Sequence, residues 1–364
     1  MLRLLGGLAY YLKWQEISTG SLIFRLHNNF TSVVLLAFSL IITANQYVGN
    51  PISCIVDSSL PQHVINTYCW ITSTFTMPDA FSRQVGKEVA HPGVANDFGD
   101  VHARKYYPYY QWVCFVLFFQ AILCYIPQWL WNMWEGKLMD SLVMGMNYGL
   151  DKEENLNKKK SMLMKYILSH SSGHKMYVFR YFFCELLCLV NIIGQLYLMN
   201  RFFGGEFLSY GLRILHMSSS PQEDRYDHMI YVFPRVTKCI FHKYGSSGTI
   251  QTHDSLCVLP LNIVNEKTYI FIWFWFMILS IGLIGLLVYR IAIFLSRSIR
   301  ARLLHLSSSA IPIEICSNIC RKVDIGDWWI LYTLSWNMDG VVYIEFIEEL
   351  TKKLSSHKCP PINA

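Results

Sequence analysis

The chain alternates between long apolar runs and longer polar segments. Four runs stand out, at residues 30–48, 109–131, 177–199 and 269–294. Each approaches the roughly 20 residues that a helix needs to cross about 30 Å of hydrocarbon, and tryptophan and tyrosine gather at their ends as an interfacial belt does. Buried helices of a soluble protein would not explain four such runs, so the pattern predicts an all-α polytopic membrane protein with four transmembrane helices.

The polar segments carry patterns of their own. Residues 1–29 open with apolar side chains at helical spacing, which predicts a short amphipathic helix that lies on the membrane or turns into a vestibule. Residues 200–268 contain two short runs around a turn at 245–248, which predicts a pair of strands. In the last segment, 295–364, apolar and polar positions alternate from 311 to 350, which predicts a small helical domain. The other segments are 49–108, expected to be ordered, and 132–176.

The amino-acid composition also indicates a membrane protein. Hydrophobic residues make up 53% of the chain and charged residues 15%, whereas soluble domains usually carry about a quarter charged residues. Residues 1–27 lack the apolar core and cleavage site of a signal peptide, so we expect them to remain in the mature chain. The expected surroundings are membrane lipid, and no nucleic acid is expected as a partner.

Charge and cysteine positions indicate the orientation. Four spans place both termini on one side, and the segments on that side hold more Lys and Arg than segments 49–108 and 200–268, which favours cytoplasmic termini. The other two segments would then be extracellular, where disulfides persist. They hold an even set of cysteines: Cys54, Cys69, Cys239 and Cys257. Four cysteines allow three connectivities, among which spacing alone does not choose.

Residue types that carry chemistry give no catalytic site. The sequence has no phosphate-binding glycine loop, nucleophile elbow or zinc-protease motif. His170 and His174 have the spacing of zinc ligands on one helix, but a poor helix-forming stretch separates them and no third ligand is near. Cys316 and Cys320 share that spacing and are better explained as core positions. We expect no enzyme, no metal and no cofactor.

Charges in the third and fourth runs and a proline in the second interrupt the apolar pattern. Arg180 lies near the end of the third run and can reach the interface, whereas Glu185 lies deeper. Because ionisable groups inside a membrane are usually paired or face water, Glu185 either bonds a neighbouring helix or subunit, or is a buried structural carboxyl. Pro127 removes a backbone hydrogen bond, so we expect a kink or an early end of the second helix.

Several motifs resemble those of the innexins, the gap-junction proteins of invertebrates. The second run opens with the innexin signature Tyr109, Tyr110, Gln111, Trp112 and Val113. The similarity continues at residues 118–121, 204–207, 242–245 and 260–267 and covers about residues 20 to 350. Two cysteines per outer segment also fit innexins, whereas connexins have three. Residues 91–100 and 324–329 are similar to arthropod innexins of the optic-ganglion-reduced type.

The resemblance implies a gap-junction channel in the plasma membrane that passes ions and small metabolites between adjacent cells. Its partners would be copies of itself in a homo-oligomeric ring, eight in this family, and a docked ring in the apposed cell, with other innexins as a further class of partner. Two alternatives remain open. One is an undocked hemichannel that releases ions and metabolites, and the other is a four-span adhesion protein without a pore.

The resemblance also implies roles for particular residues. It implies disulfides between Cys54 and Cys257 and between Cys69 and Cys239. It favours a pore funnel built from the N-terminal helix, which would line the pore with Leu2, Arg3, Leu5 and Lys13. We expect Tyr109, Gln111 and Trp112 to anchor the second helix rather than line the pore, with Tyr110, Val113 and Pro127 as further structural positions.

Overall fold

The computed structural model describes residues 17–56, 60–96, 104–147, 152–170, 173–217 and 228–356. Four of its helices are long and apolar enough to cross a membrane, which confirms the four-span fold. They are α1 Leu22–Val48, α3 Val113–Glu135, α6 Lys175–Phe202 and α9 Leu261–Leu295. Both α1 and α9 begin eight residues before the predicted apolar runs.

Helix α1 starts early because its polar residues are satisfied locally. The hydroxyl of Ser21 accepts a hydrogen bond from the Phe24 amide at 3.3 Å, which caps the helix. A π-helical stretch, Leu26–Phe30, follows within α1. There the Asn28 amide nitrogen donates to the Phe24 carbonyl at 2.7 Å. A hydropathy pattern counts such residues as polar, although their hydrogen bonds lie within the helix.

Helix α3 continues through Pro127 to Glu135, so of the two alternatives expected at Pro127, a kink or an early end, the early end does not occur. A proline costs one backbone hydrogen bond, but the residues after it stay packed. Trp131 is buried, and its ring lies 5.1 Å from that of Tyr177 and 4.9 Å from that of Tyr181. This packing holds the turns beyond the proline in place.

The chain divides into two compact units, each assembled from separate segments. The first unit takes residues up to 31, 124–191 and residues from 280 onward, and the second takes residues 32–123 and 192–279. The first unit therefore contains both ends of the described chain, and the second contains the loop segments with the four paired cysteines.

The second unit contains a five-stranded antiparallel sheet in the order β1-β5-β4-β2-β3. Its strands are β1 Ser53–Ile55, β2 Thr74–Thr76, β3 Lys105–Tyr107, β4 Val236–Tyr244 and β5 Ile250–Val258. Strands β4 and β5 form the expected hairpin, whose turn contains Gly248 at a φ of +81°. The helices of this unit's loops are α2 Gln62–Thr72, α7 Phe207–Met217 and α8 His228–Val232.

The first unit contains the expected small helical domain. Its helices are α4 Leu138–Val143, α5 Glu153–Ser169, α10 Arg297–Ser307, α11 Ile313–Lys322, α12 Ile325–Asn337 and α13 Gly340–Ser356. Helix α12 is buried along most of its length, including Trp328 and Leu331. A Cβ atom on Gly326 would lie 2.5 Å from the carbonyl carbon of His174, so only glycine fits at this close approach.

Candidate functional site

Two disulfides fasten the loop segments of the second unit to each other. Cys54 on β1 is bonded to Cys257 on β5 at 2.10 Å, and Cys69 on α2 is bonded to Cys239 on β4 at 2.01 Å. This is the pairing that the resemblance implied. All four cysteines are buried, so the bridges lie inside the unit and hold helix α2 and strand β1 against the β4–β5 hairpin.

The same cysteines form the one group of potential metal ligands found among the described residues. The sulfur atoms of Cys54, Cys69 and Cys257 lie within 4.8 Å of one another. Zinc binds thiolates, and a disulfide sulfur offers none. These cysteines therefore form covalent cross-links and not a metal site.

The signature residues tie the start of the second span to helix α2 and to the segment before β4. They form a 3-10 turn, Tyr109–Gln111, that leads into α3. The Tyr109 hydroxyl donates to the Val232 carbonyl at 2.6 Å, and the Tyr110 hydroxyl donates to the Cys69 carbonyl at 3.3 Å. The Gln111 side chain donates to the Trp70 carbonyl.

The signature residues differ in burial. Three of them are buried: Tyr109, Tyr110 and Val113. Trp112 is 57% exposed, and the centroid of its ring lies 6.1 Å from that of Phe115. The buried members therefore hold the second unit together from within. Trp112 instead presents its ring at the outside of this subunit, as an interfacial anchor would.

A buried carboxylate at the start of α9 was missed by the sequence analysis. Glu266 is 0% exposed and pairs with Arg235 at 3.1 Å and with Lys267 at 2.8 Å. Beside it, the Asn262 amide donates to the Pro234 carbonyl at 2.8 Å. These polar contacts explain why α9 begins at Leu261, before the apolar run. The sequence motif at 260–267 contains Asn262 and Glu266 and was the signal that could have indicated these contacts.

In the first unit, Glu185 pairs with Arg290 across two spans. The Arg290 guanidinium donates from Nε at 2.7 Å and from Nη2 at 2.8 Å to the two carboxylate oxygens. The Ser21 hydroxyl donates to the same carboxylate at 3.1 Å, and the guanidinium lies 4.7 Å from the Trp329 ring. Of the two open alternatives, Glu185 thus bonds a neighbouring helix of its own chain. The sequence analysis did not pair the charge of the fourth run, Arg290, with Glu185, although opposite charges in two apolar runs could have indicated the pair.

Residues 18–21 are held by three helices of the first unit. Asn337 and Ser18 exchange two hydrogen bonds, at 2.6 and 2.9 Å. Trp131 donates to the Thr19 hydroxyl at 3.2 Å, and the Tyr181 hydroxyl accepts from the Ser21 amide at 2.8 Å. The residues predicted to line the pore lie outside the described residues: Leu2, Arg3, Leu5 and Lys13.

The histidines and cysteines that were weighed as ligands have other partners. His174 lies 2.6 Å from Asp327 and 3.1 Å from the Tyr166 hydroxyl, both through its ring nitrogens. Cys316 and Cys320 are buried on α11, as expected of core positions. Burial raises the pKa of the Cys320 thiol to about 12, so this thiol stays protonated and is a poor nucleophile.

Comparison of the sequence with known proteins identifies the family of this chain. The sequence profile of the innexin family matches residues 20–354. The chain is 64% identical over 356 residues to innexin inx1 of Schistocerca americana, covering 98% of both chains. It is 61% identical over 358 residues to innexin inx1 of Drosophila melanogaster, covering 98% of this chain and 99% of the relative. Innexin shaking-B of Drosophila melanogaster is 45% identical over 358 residues, 98% of this chain and 96% of the relative.

Proposed function

The chain belongs to the innexin family, whose members are subunits of invertebrate gap-junction channels, and from this premise we propose that copies of it form a ring that docks with a ring in the adjoining cell. The chain is a channel subunit and not an enzyme. The observation that supports this function is the family match over nearly the whole chain. We further propose how many copies form the ring, that rings dock, and which side of the membrane each terminus lies on.

Exposed apolar surface supports a ring of several copies. Each long helix leaves large apolar side chains outside the core of the subunit, for example Phe119 on α3 at 61% and Ile281 on α9 at 69% exposure. Such side chains need lipid or a neighbouring subunit to cover them. Eight copies per ring is the number that the family resemblance implied. Native mass spectrometry of the purified complex should give eight chains, and any other number would reject that stoichiometry.

The disulfides support placing the loop segments of the second unit outside the cell. Both bridges join loop segments of that unit, and disulfides persist in the oxidising exterior. The six free cysteines of the described residues are all buried and lie in helices α3, α6 and α11. We therefore orient both termini to the cytoplasm. An antibody against a C-terminal epitope tag should stain permeabilised cells only, and staining of intact cells would reverse the orientation.

The bonded loop segments of the second unit support docking against a second ring. They contribute the strands of one sheet and are joined by two disulfides, and the signature turn bonds the start of the second span to α2 and α8. Neither outer segment contains a glycosylation motif, which leaves the surface unobstructed; the single sequon, Asn29-Phe30-Thr31, lies within α1. Dye transfer between paired cells that both express the chain is expected. Dye leak from single cells without transfer between pairs would favour the undocked hemichannel.

The N-terminal segment is proposed to form the cytoplasmic funnel of the pore. Support comes from its anchor, because residues 18–21 are fixed by Asn337, Trp131 and Tyr181. A short segment rooted there lies within reach of the first helix. Arg3 and Lys13 would place positive charge near the ion path and disfavour small cations, less so at high salt. Deletion of residues 2–13 should preserve assembly and change unitary conductance or gating, and an unchanged channel would place the segment on the membrane surface.

The signature residues are proposed to stabilise the subunit without lining the pore. The supporting observation is that the side chains of Tyr109 and Gln111 donate hydrogen bonds to backbone carbonyls of the same unit. A cysteine placed at Gln111 should leave conductance unaffected by a thiol reagent of pore size. A conductance change after modification would assign this position to the pore wall.

A further inference from the structure

Two adjoining cavities lie where the fourth span ends, and both are lined by Arg297. The first is about 870 Å³ and lies along α10 and α11, where Arg302 and Arg321 also line it. The second is about 550 Å³ and lies among α6, the end of α9 and the start of α10. All of these residues belong to the first unit. Arg297 comes two residues after the last residue of α9, so both cavities are next to the membrane surface.

The first cavity is cationic and lacks matching carboxylates. Arg297, Arg302 and Arg321 are exposed, and within the described ranges none of them forms an ion pair. The carboxylate in the lining is Glu314, so three cations face one anion. Guanidinium groups bind phosphate oxygens with two parallel hydrogen bonds. The chemistry of this cavity therefore fits a phosphate group.

The second cavity contains a buried cation. Arg300 is 8% exposed, and its Nε atom is buried without a hydrogen-bond partner in the part of the chain that the structure describes. Burial lowers the pKa of Arg300 and the neighbouring Arg297 guanidinium acts in the same direction, whereas Cys320 and Asp324 raise it. Leaving a buried donor without an acceptor is costly, and an anion bound in the cavity would accept the hydrogen bond that Arg300 Nε lacks. Lys175, in the same lining, is already paired with Asp324 at 3.1 Å.

Much of the remaining wall of the second cavity is apolar and comes from the spans. It includes Phe179 and Phe182 of α6 and Phe294 of α9. Phe179 is 67% exposed and Phe294 is 61% exposed. A soluble anion without apolar groups gains no binding free energy from contact with these phenylalanines, whereas a hydrocarbon chain would bury them from water. Cationic groups beside exposed phenylalanines at the end of a span match an amphipathic anion.

We propose that the joined cavities bind an anionic phospholipid, with its phosphate on Arg297, Arg300 and the neighbouring arginines and an acyl chain along Phe179 and Phe294. Juxtamembrane arginine clusters attract anionic lipids by charge, and the buried Arg300 adds a defined contact point. The orientation proposed above would make this a site for the cytoplasmic leaflet. The site itself does not depend on that orientation, so its test can fail independently of the channel function.

Native mass spectrometry of the detergent-purified full chain tests the proposal, with phosphatidylglycerol and phosphatidylcholine as probes. The wild-type chain should retain phosphatidylglycerol selectively. The triple variant R297Q/R302Q/R321Q should bind it about fivefold more weakly per arginine removed, and because these side chains are exposed the fold should survive. The control K152Q/K158Q/K165Q removes the same charge from exposed positions at α5 and should bind as wild type. Undiminished selectivity in the arginine variant would overturn the proposal.

A second pair of variants separates a lipid from a soluble phosphate. F179S/F294S removes the apolar wall without opening the core, and it should weaken phosphatidylglycerol binding several-fold. Glycerol 3-phosphate, which carries the phosphate without acyl chains, should bind far more weakly than the lipid. If it binds as tightly as the lipid and F179S/F294S has no effect, the site takes soluble phosphates and the lipid assignment is wrong. Phosphatidylglycerol should raise the Tm of the wild-type chain, because it binds the folded state. Arg300→Gln should abolish this rise, and a full rise in that variant would also contradict the proposal.

Discussion

At the scale of single residues, the fold depends on polar groups that are satisfied inside apolar surroundings. Glu185 and Arg290 are both nearly fully buried, and they meet each other with two hydrogen bonds. Inside a bilayer such a pair has no water to replace a lost partner, so the two helices that carry it are held in one register. At the other end of α9, the buried Glu266 carboxylate is paired with Arg235 and Lys267, both of which are partly exposed.

Removing one member of the buried pair should destabilise the subunit strongly. Glu185→Gln leaves the Arg290 guanidinium buried without a counter-charge, and we expect a loss of about 3–5 kcal/mol. The double variant E185M/R290M replaces the pair by apolar groups and should lose less. Arg180→Gln is the control, because Arg180 is exposed. Thermal unfolding of the detergent-solubilised protein measures this, and a Tm for Glu185→Gln equal to that of the control would refute the account.

Gly326→Ala should also destabilise the first unit, for a steric reason. The added methyl group would meet the His174 backbone at 2.5 Å, and overpacking of this kind costs roughly 1–3 kcal/mol. Gly340→Ala is a matched control, since a Cβ atom there meets nothing within 4 Å. We expect a lower Tm for Gly326→Ala and an unchanged or slightly higher Tm for Gly340→Ala. Equal Tm values would mean that the backbones separate at little cost.

At the scale of elements, hydropathy predicted the spans because lipid demands long apolar helices, and a turn motif predicted the β4–β5 hairpin. The starts of α1 and α9 were not predicted, because Asn28 and Glu266 are polar in sequence and paired only in the fold. Strands β1, β2 and β3 have three residues each, too few to show a period of two. The disulfide pairing came from the family resemblance, since spacing left three connectivities.

The signature turn should contribute to stability through its hydrogen bonds. Tyr109→Phe leaves the buried Val232 carbonyl without its donor, which should cost about 1–3 kcal/mol. Trp112→Phe changes an exposed ring of the same motif and should have a smaller effect on unfolding. Chemical denaturation of the two variants compares them directly. A larger loss for Trp112→Phe would show that the exposed ring, and not the buried hydroxyl, secures the second span.

At the scale of the whole molecule, the two units have different tasks. The second unit is bonded internally by two disulfides and by hydrogen bonds, which suits the docking proposed for its loop segments. The first unit contains the segment 18–21, which Asn337 and Trp131 hold in place, and the helical domain.

The most direct measurement is junctional conductance between two paired cells, because it requires assembly, docking and an open pore together. With the chain expressed in both cells, we predict a conductance that is absent from pairs expressing neither. C69S/C239S, which removes the disulfide between α2 and β4, should reach the surface but lose the junctional conductance, since the outer unit is no longer fastened. Wild-type protein at the contact between both cells without any junctional conductance would contradict an intercellular channel.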